Sequence, residues 1–502
     1  MRKIVAGFVG ILGLGALCAG EGGGAYLGAM SLLPLGMAAA PTFYVSTTGS
    51  NSNPGTHALP WRTITYAVGS SSPAPASSTI YIQAGDYGNE NVVVRKDGLK
   101  LIGYHAKPGD QPAILVKSML PIADFEPTHQ PLLRGANRSS GIAINLQGRA
   151  GVTVSNINIT NYSYGISAGS TNQNFKEGHT ISNVNVSQLG NPTVGYSGLG
   201  ISLGSMGTRF SNGCTVRNCM IVNAAAEGLS INGDQNTADN VKVFNLETEG
   251  AASTDYYVLI CGNYNLVLNS MISRAAGSSH NGHGFSIKSN AEQIIDAGQP
   301  YPVINPQYNV IRSCVAYNLG ESFVVRHRGV RNNTFIDNRA FGAGSDSNCE
   351  GNGIVIRDGA SDNKFINTTV QNACSGIRFN DTTEDGDTGA NPPGHPGSGN
   401  LIDGISVRNT YYGFNFHSIS VPSDAGANTV RNSTFDRVRY VFGAARSATA
   451  MTYQNITFNG TLGILPPSVG GFRTGPFSGT IVPSQFSNCS FTNIAGGMPP
   501  GF

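Results

Sequence analysis

Lys288, Arg326 and Arg357 fall at one position of three successive repeats, in a chain with only 31 Lys and Arg among 502 residues. The stretches GLSING (228–233), YVLICG (257–262), GFSIKS (284–289), SFVVRH (322–327), GIVIRD (353–358), GIRFND (376–381) and GFNFHS (413–418) align as short strands. Their second and fourth residues are apolar and point inward; their third and fifth point outward. The fifth position reads Asn232, Cys261, Lys288, Arg326, Arg357, Asn380 and His417. Just before the strands, Glu227, Tyr256, His283, Glu321 and Asn352 mark one edge, and His327 and Asp358 mark the other. Stacked strands lie about 4.8 Å apart, so three cations would stand side by side. Like charges that close repel, by roughly 0.2–1 kcal/mol even when exposed, and disfavour one another's charged form. A lysine there is suited to general-base work, and the column to a polyanion. Outward strand positions also carry Lys and Arg for solubility. Three in one stack, flanked by His283, His327 and Tyr256, point to a site.

The elements that must position these residues repeat along the chain. GVTVSNINIT (151–160), CTVRNCMIVN (214–223), YNVIRSCVAYN (308–318) and DNKFINTTVQN (362–372) share one phrase: Asn, a short alternating strand, polar residues, a second strand. Such strands are too short to stand alone, and recurrent self-similarity marks a stacked solenoid. The expected fold is all-β: a single-stranded, right-handed parallel β-helix of the pectate-lyase-like kind. Its core is built from stacked Val, Ile, Leu and Phe, with Asn at the bends forming amide ladders and Gly supplying positive φ at the corners. FYVSTTGSNSNPGTHALPWRTITYAV (43–68) predicts a strand, a loop and a short N-terminal capping helix. Residues 291–307 and 382–398 read as polar excursions.

Two segments frame this domain, expected over 41–502. Arg2 and Lys3 precede an apolar run from Ile4 to Ala19, with small residues at Ala16, Cys18 and Gly20 and again at Ala38–Ala40. Residues 1–40 are therefore expected to be a signal peptide or leader, cut near 20 or near 40, and the protein to be secreted, extracellular or periplasmic. No later segment could span a bilayer. The eight Cys show no zinc spacing, and Cys349 with Cys374 is the expected disulfide. A formal charge of +2 gives no global case for nucleic acid.

GFSIKSN (284–290), NVIRSC (309–314) and FVVRHRGVRNNTF (323–335) resemble polysaccharide lyase family six, the β-helix lyases that include chondroitinase B and alginate lyases. The likeness lies in Ser286-Ile287-Lys288-Ser289, in Arg326-His327 with Gly329 one place late, and in Asn332-Asn333-Thr334-Phe335. It covers only this part of the core. A weaker likeness, through Gly284-Phe285-x-x-Lys288 and Asn309 to Ala316, is to the pectate lyases of family nine. The resemblance implies a secreted lyase that cleaves a uronate-containing acidic polysaccharide by β-elimination. Lys288 would take the C5 proton, and Arg326 would donate to or stabilise the leaving oxygen. His327 and Arg357 would bind the carboxylate or adjoining sugars, with His283, Tyr256, Asn232 and Glu321 as further substrate contacts. The family's acidic calcium ligands are not matched, since Asn281 and His283 stand in their places. Calcium is thus an open expectation, with Asn281, Glu227 and Asp255 as weak candidate ligands.

Three other functions compete. A C5-epimerase shares the proton abstraction and needs a second proton donor, for which Tyr256 or His283 could serve. A non-catalytic carbohydrate-binding or adhesin β-helix would need no cluster of Lys, Arg and His. A hydrolase of the polygalacturonase type is echoed by Gly282-His283-Gly284, but such enzymes need clustered Asp, and no Asp pair lies nearby. The expected partner is an acidic polysaccharide, with no nucleic acid or stable membrane insertion, and the expected state is a monomer.

Overall fold

The computed structural model describes residues 40–108, 130–191, 197–206, 208–246, 254–275, 282–291, 302–342, 351–380, 397–417, 427–443, 451–461 and 483–495. The expected leader, Cys349, Asn281 and most of both excursions lie outside these residues. Ala40–Phe502 forms one compact unit. Among the described residues, three sheets of 15, 13 and 14 strands run the length of this unit, and successive coils pair in parallel. The chain is a parallel β-helix, as the repeat predicts.

Alternation explains how it coheres. In the first sheet Val267, Ile311, Phe335, Phe365 and Ile402 stack inward, each fully buried at the centre of a three-residue strand. The wall from the 14-stranded sheet narrows to Ala316 and Ala340 where Phe285, Phe323 and Phe335 need room. Phe285 and Phe323 stack at 5.6 Å, and Phe335 meets Phe323 edge-on at 6.2 Å. Small residues facing large ones keep the interior filled without strain.

The bends carry the expected amides. Asn236, Asn265, Asn309, Asn333, Asn363, Asn400 and Asn428 form a buried ladder, each Nδ2 donating to the next Oδ1 at 2.9–3.2 Å. The same Oδ1 atoms accept backbone N–H groups, for example Asn309 Oδ1 from Asn265 N at 2.9 Å, so the turn backbone stays satisfied.

The role expected of glycine is shared: Gly151, Gly178, Gly213 and Gly399 take positive φ just before the first strand of their coils. Positive φ at the corner between the first two strands of a coil is taken mainly by Asn, as at Asn156 (57°), Asn183 (56°), Asn218 (52°) and Asn240 (52°). Asn tolerates the left-handed region because its short amide bonds locally. Gly284 instead leads its strand because a Cβ there would overlap the Ser322 carbonyl of the next coil.

The short helix is Ile64–Val68, and it packs beside Val92–Val93 at the first coil. Thr63 caps it through Tyr66 N, and Glu90 accepts from Ile64 N at 3.2 Å and Thr65 N at 2.7 Å. Ile64, Ala67 and Val68 are buried, closing the end of the core as a terminal repeat must.

Candidate functional site

The strands Glu227–Asn232, Tyr256–Cys261, His283–Lys288, Glu321–Arg326, Asn352–Arg357 and Ser375–Asn380 lie side by side in the 13-stranded sheet. Their register matches the sequence alignment. Lys288 pairs with Arg326, Arg326 with Arg357, Arg357 with Asn380, and Asn232 with Cys261. At the opposite end Glu227, Tyr256, His283, Glu321 and Asn352 form a second column. Register pairing resumes two residues after each of these, and side chains of the two columns meet at Tyr256.

Tyr256 stands where the columns meet. Its Oη accepts from Lys288 Nζ at 3.2 Å and from Arg326 Nη1 at 3.4 Å. The His283 ring stacks on it at 4.8 Å, and Lys288 Nζ lies 5.2 Å from its centroid. His283 Nδ1 lies 2.8 Å from Glu321 Oε2, and its Nε2 lies 3.8 Å from Asp255 Oδ1. Arg357 Nη1 reaches Glu321 Oε1 at 3.2 Å. Asp358 Oδ2 then accepts from Arg357 Nε at 2.7 Å and Arg326 Nε at 3.1 Å. The contacts thus form a closed circuit: Tyr256, His283, Glu321, Arg357, Asp358, Arg326 and back to Tyr256.

This circuit revises the sequence reading in three ways. The cations are not a bare positive stripe, because carboxylates from the flanking positions interleave with them. Burial pushes the Glu321 carboxyl up, but Arg357 and His283 outweigh it and hold it well below the usual carboxylate range. Glu321 is therefore a fixed anion that orients His283 and Arg357. His327, expected to touch substrate, is buried at the far corner, with φ of 83° and Nδ1 3.2 Å from Ser289 Oγ. Asn232 is also buried, with Nδ2 bonded to Ser230 Oγ at 3.0 Å.

Sequence reasoning left two contributors out of the site. Asp358 was seen only as an edge residue. Its φ of 56° turns the side chain back onto both guanidiniums, which alternation alone does not reveal. Arg378 pairs with Val355, at the third, outward position of the next coil. Its Nε is buried without a hydrogen-bond partner among the described residues, and burial lowers its pKa, partly offset by Glu321. The same alignment carried that signal at position three, where only position five was read for charge.

The carboxylates are poorly suited to calcium. Glu321 and Asp358 are spent on arginines, and burial raises the Glu227 pKa, with Asp255 adding to the effect. Among the described residues no three His, Cys, Asp or Glu groups converge in metal-binding geometry. Cys261, beside Lys288, is free, and burial pushes its thiol up to about 12. Cys374 is disulfide-bonded, while its expected partner Cys349 lies outside the described residues.

No family model matches the chain, and no curated protein matches it. Solved structures similar to it include the catalytic domain of a GH87 α-1,3-glucanase in complex with nigerose. That match has a TM-score of 0.46 and 14% identity, over 83% of this chain and 64% of that chain. An alginate lyase matches with a TM-score of 0.43 and 11% identity, over 84% of this chain and 92% of that one. A GH136 lacto-N-biosidase from Eubacterium ramulus matches with a TM-score of 0.39 and 10% identity, over 91% and 68%. The chain thus spans just under two thirds of the glucanase chain it matches. These structural neighbours are carbohydrate-processing enzymes, and the likeness is one of architecture. Among the described residues no helix is long and apolar enough to cross a membrane.

Proposed function

We propose that this protein is an exported lyase that cleaves a uronate-containing polysaccharide by β-elimination. The observation that carries the reading is the convergence on Tyr256 Oη of Lys288 and Arg326, from separate coils, on the outer wall of the helix. Elimination at a uronate needs three things: a base for the C5 proton, neutralisation of the carboxylate so that this proton is acidic, and help for the leaving oxygen. Lys288 is the base. Arg326 is held by Asp358 and stays charged, which suits it to stabilising developing negative charge. Arg378, at an outward position of the coil after Arg357, supplies with Arg357 the cationic contact to the sugar carboxylate that the resemblance gave to His327 and Arg357. No step needs calcium.

A second reading has its own observation. Glu227, Asp255 and Glu321 lie within a run of four successive coils on one wall, and burial, with Asp255 adding to it, raises the Glu227 carboxyl. A raised carboxyl close to a second acidic side chain is the arrangement a glycoside hydrolase uses for acid and base. Mass analysis of the products separates the two. Elimination leaves an unsaturated, water-deficient end, whereas hydrolysis adds one water and leaves none.

A further inference from the structure

We propose that Tyr256, and not Arg326, is the proton donor to the leaving oxygen, and that Lys288 and Tyr256 form a dyad that resets itself without solvent. This rests on the elimination reading and assigns its second proton.

Arginine has only donors, and an N–H of Lys288 is directed at the same atom. Both lone pairs of Tyr256 Oη are therefore engaged, and its own hydrogen has to point elsewhere. Among the described residues Oη accepts these two bonds and donates none. The residue is on the outer wall and slightly exposed (7%). Stacking on His283, itself fixed by Glu321, holds the ring plane. The phenolic hydrogen is thus left for an oxygen of the substrate. Arg326 cannot play this part, because it keeps its proton at any working pH and its charge is matched by Asp358.

The step balances. Neutral Lys288 donates one N–H to Oη and presents its lone pair to the substrate. The C5–H bond breaks and its proton passes to Nζ. The electron pair forms the C4–C5 double bond as the C4–O4 bond breaks, and O4 takes the phenolic proton. Lys288 is now an ammonium and Tyr256 a phenolate that also accepts from Arg326. A proton then crosses the 3.2 Å contact from Nζ to Oη, which restores both groups.

The test compares the full chain with its Tyr256→Phe and Lys288→Ala variants on two substrates. One is an acidic polysaccharide. The other is a uronate carrying a nitrophenolate at C4, which leaves without a proton. Tyr256→Phe should lose about 10²–10⁴-fold on the polysaccharide, the usual worth of general acid catalysis, and less than about tenfold on the nitrophenyl substrate. Lys288→Ala should lose on both. Equal losses of Tyr256→Phe on both substrates, or no loss at all, would overturn the assignment. Failure of the wild-type chain to form unsaturated product from any uronate would remove the elimination reading and the dyad with it.

Discussion

Arg326 and Arg357, on consecutive coils, are held by a single carboxylate oxygen, Asp358 Oδ2, at 3.1 and 2.7 Å. Two buried guanidiniums side by side would repel, and this shared anion is what lets the sheet keep them in register. Asp358 is 2% exposed and its backbone is left-handed. Asn accepts that backbone conformation, so Asp358→Asn removes the charge without straining the turn. Breaking a buried ion pair costs about 3–5 kcal/mol, and a loss of stability near the lower end is expected from the denaturant midpoint. Catalytic rate should fall with it. An unchanged midpoint would mean that the arginines are held by something else.

Gly284 tests the packing behind Lys288. A Cβ there overlaps the Ser322 carbonyl, so Gly284→Ala must displace the strand that carries Lys288. Overpacking of this kind costs about 1–3 kcal/mol. The turnover rate should drop more than stability does, measured by kinetics beside thermal melting. Full activity in the alanine variant would show that the coil spacing at Lys288 is not critical.

The amide ladder predicts a larger structural effect. Asn309 donates to Gly262 O at 2.8 Å and Asn333 Oδ1 at 2.9 Å, and accepts from Asn265. Asn309→Ala leaves several buried polar groups unpaired at about 1–3 kcal/mol each. Exposed Lys364→Ala should change stability by no more than about 0.5 kcal/mol. Comparable midpoints for the two would contradict a supporting role for the ladder.

A buried pair away from the site gives a pH signature. Burial raises Glu177 to about 7 despite hydrogen bonds from Ser211 and Gly169, and burial lowers His179 to about 4. Glu177 has a folded pKa above its unfolded one, so its contribution is present at low pH and lost as pH rises through about 7. His179 has the opposite sign: its contribution is present above its unfolded value and lost as pH falls through about 4. Because the two slopes oppose, melting temperature should be nearly flat across the mildly acidic range and decline only toward about pH 4 and toward about pH 7. Glu177→Gln should abolish the decline toward neutral pH and keep the acid one. Retention of both declines would assign the neutral-side loss to another group.

The sequence carried the register of the strand that bears the cations, because a two-residue alternation repeated over seven coils leaves one alignment that buries residues such as Phe285, Phe323, Ile354 and Ile377. The Lys288, Arg326 and Arg357 column followed from that register. The partners of those cations were not legible. Alternation says which side of a sheet a residue faces, but not that Asp358 turns back at a left-handed corner or that Glu321 reaches Arg357. Tyr256 was legible as a substrate contact and a candidate proton donor, but not that Lys288 and Arg326 both converge on its hydroxyl, which depends on how three coils stack.

Ultraviolet absorbance of the C4–C5 unsaturated uronate, followed while the full chain acts on a panel of acidic polysaccharides with and without EDTA, tests the central claim most directly. The expected result is a rise on at least one substrate, unaffected by EDTA and absent in Lys288→Ala. New reducing ends without any rise would contradict elimination and assign the site to hydrolysis through Glu227 and its neighbouring carboxylates.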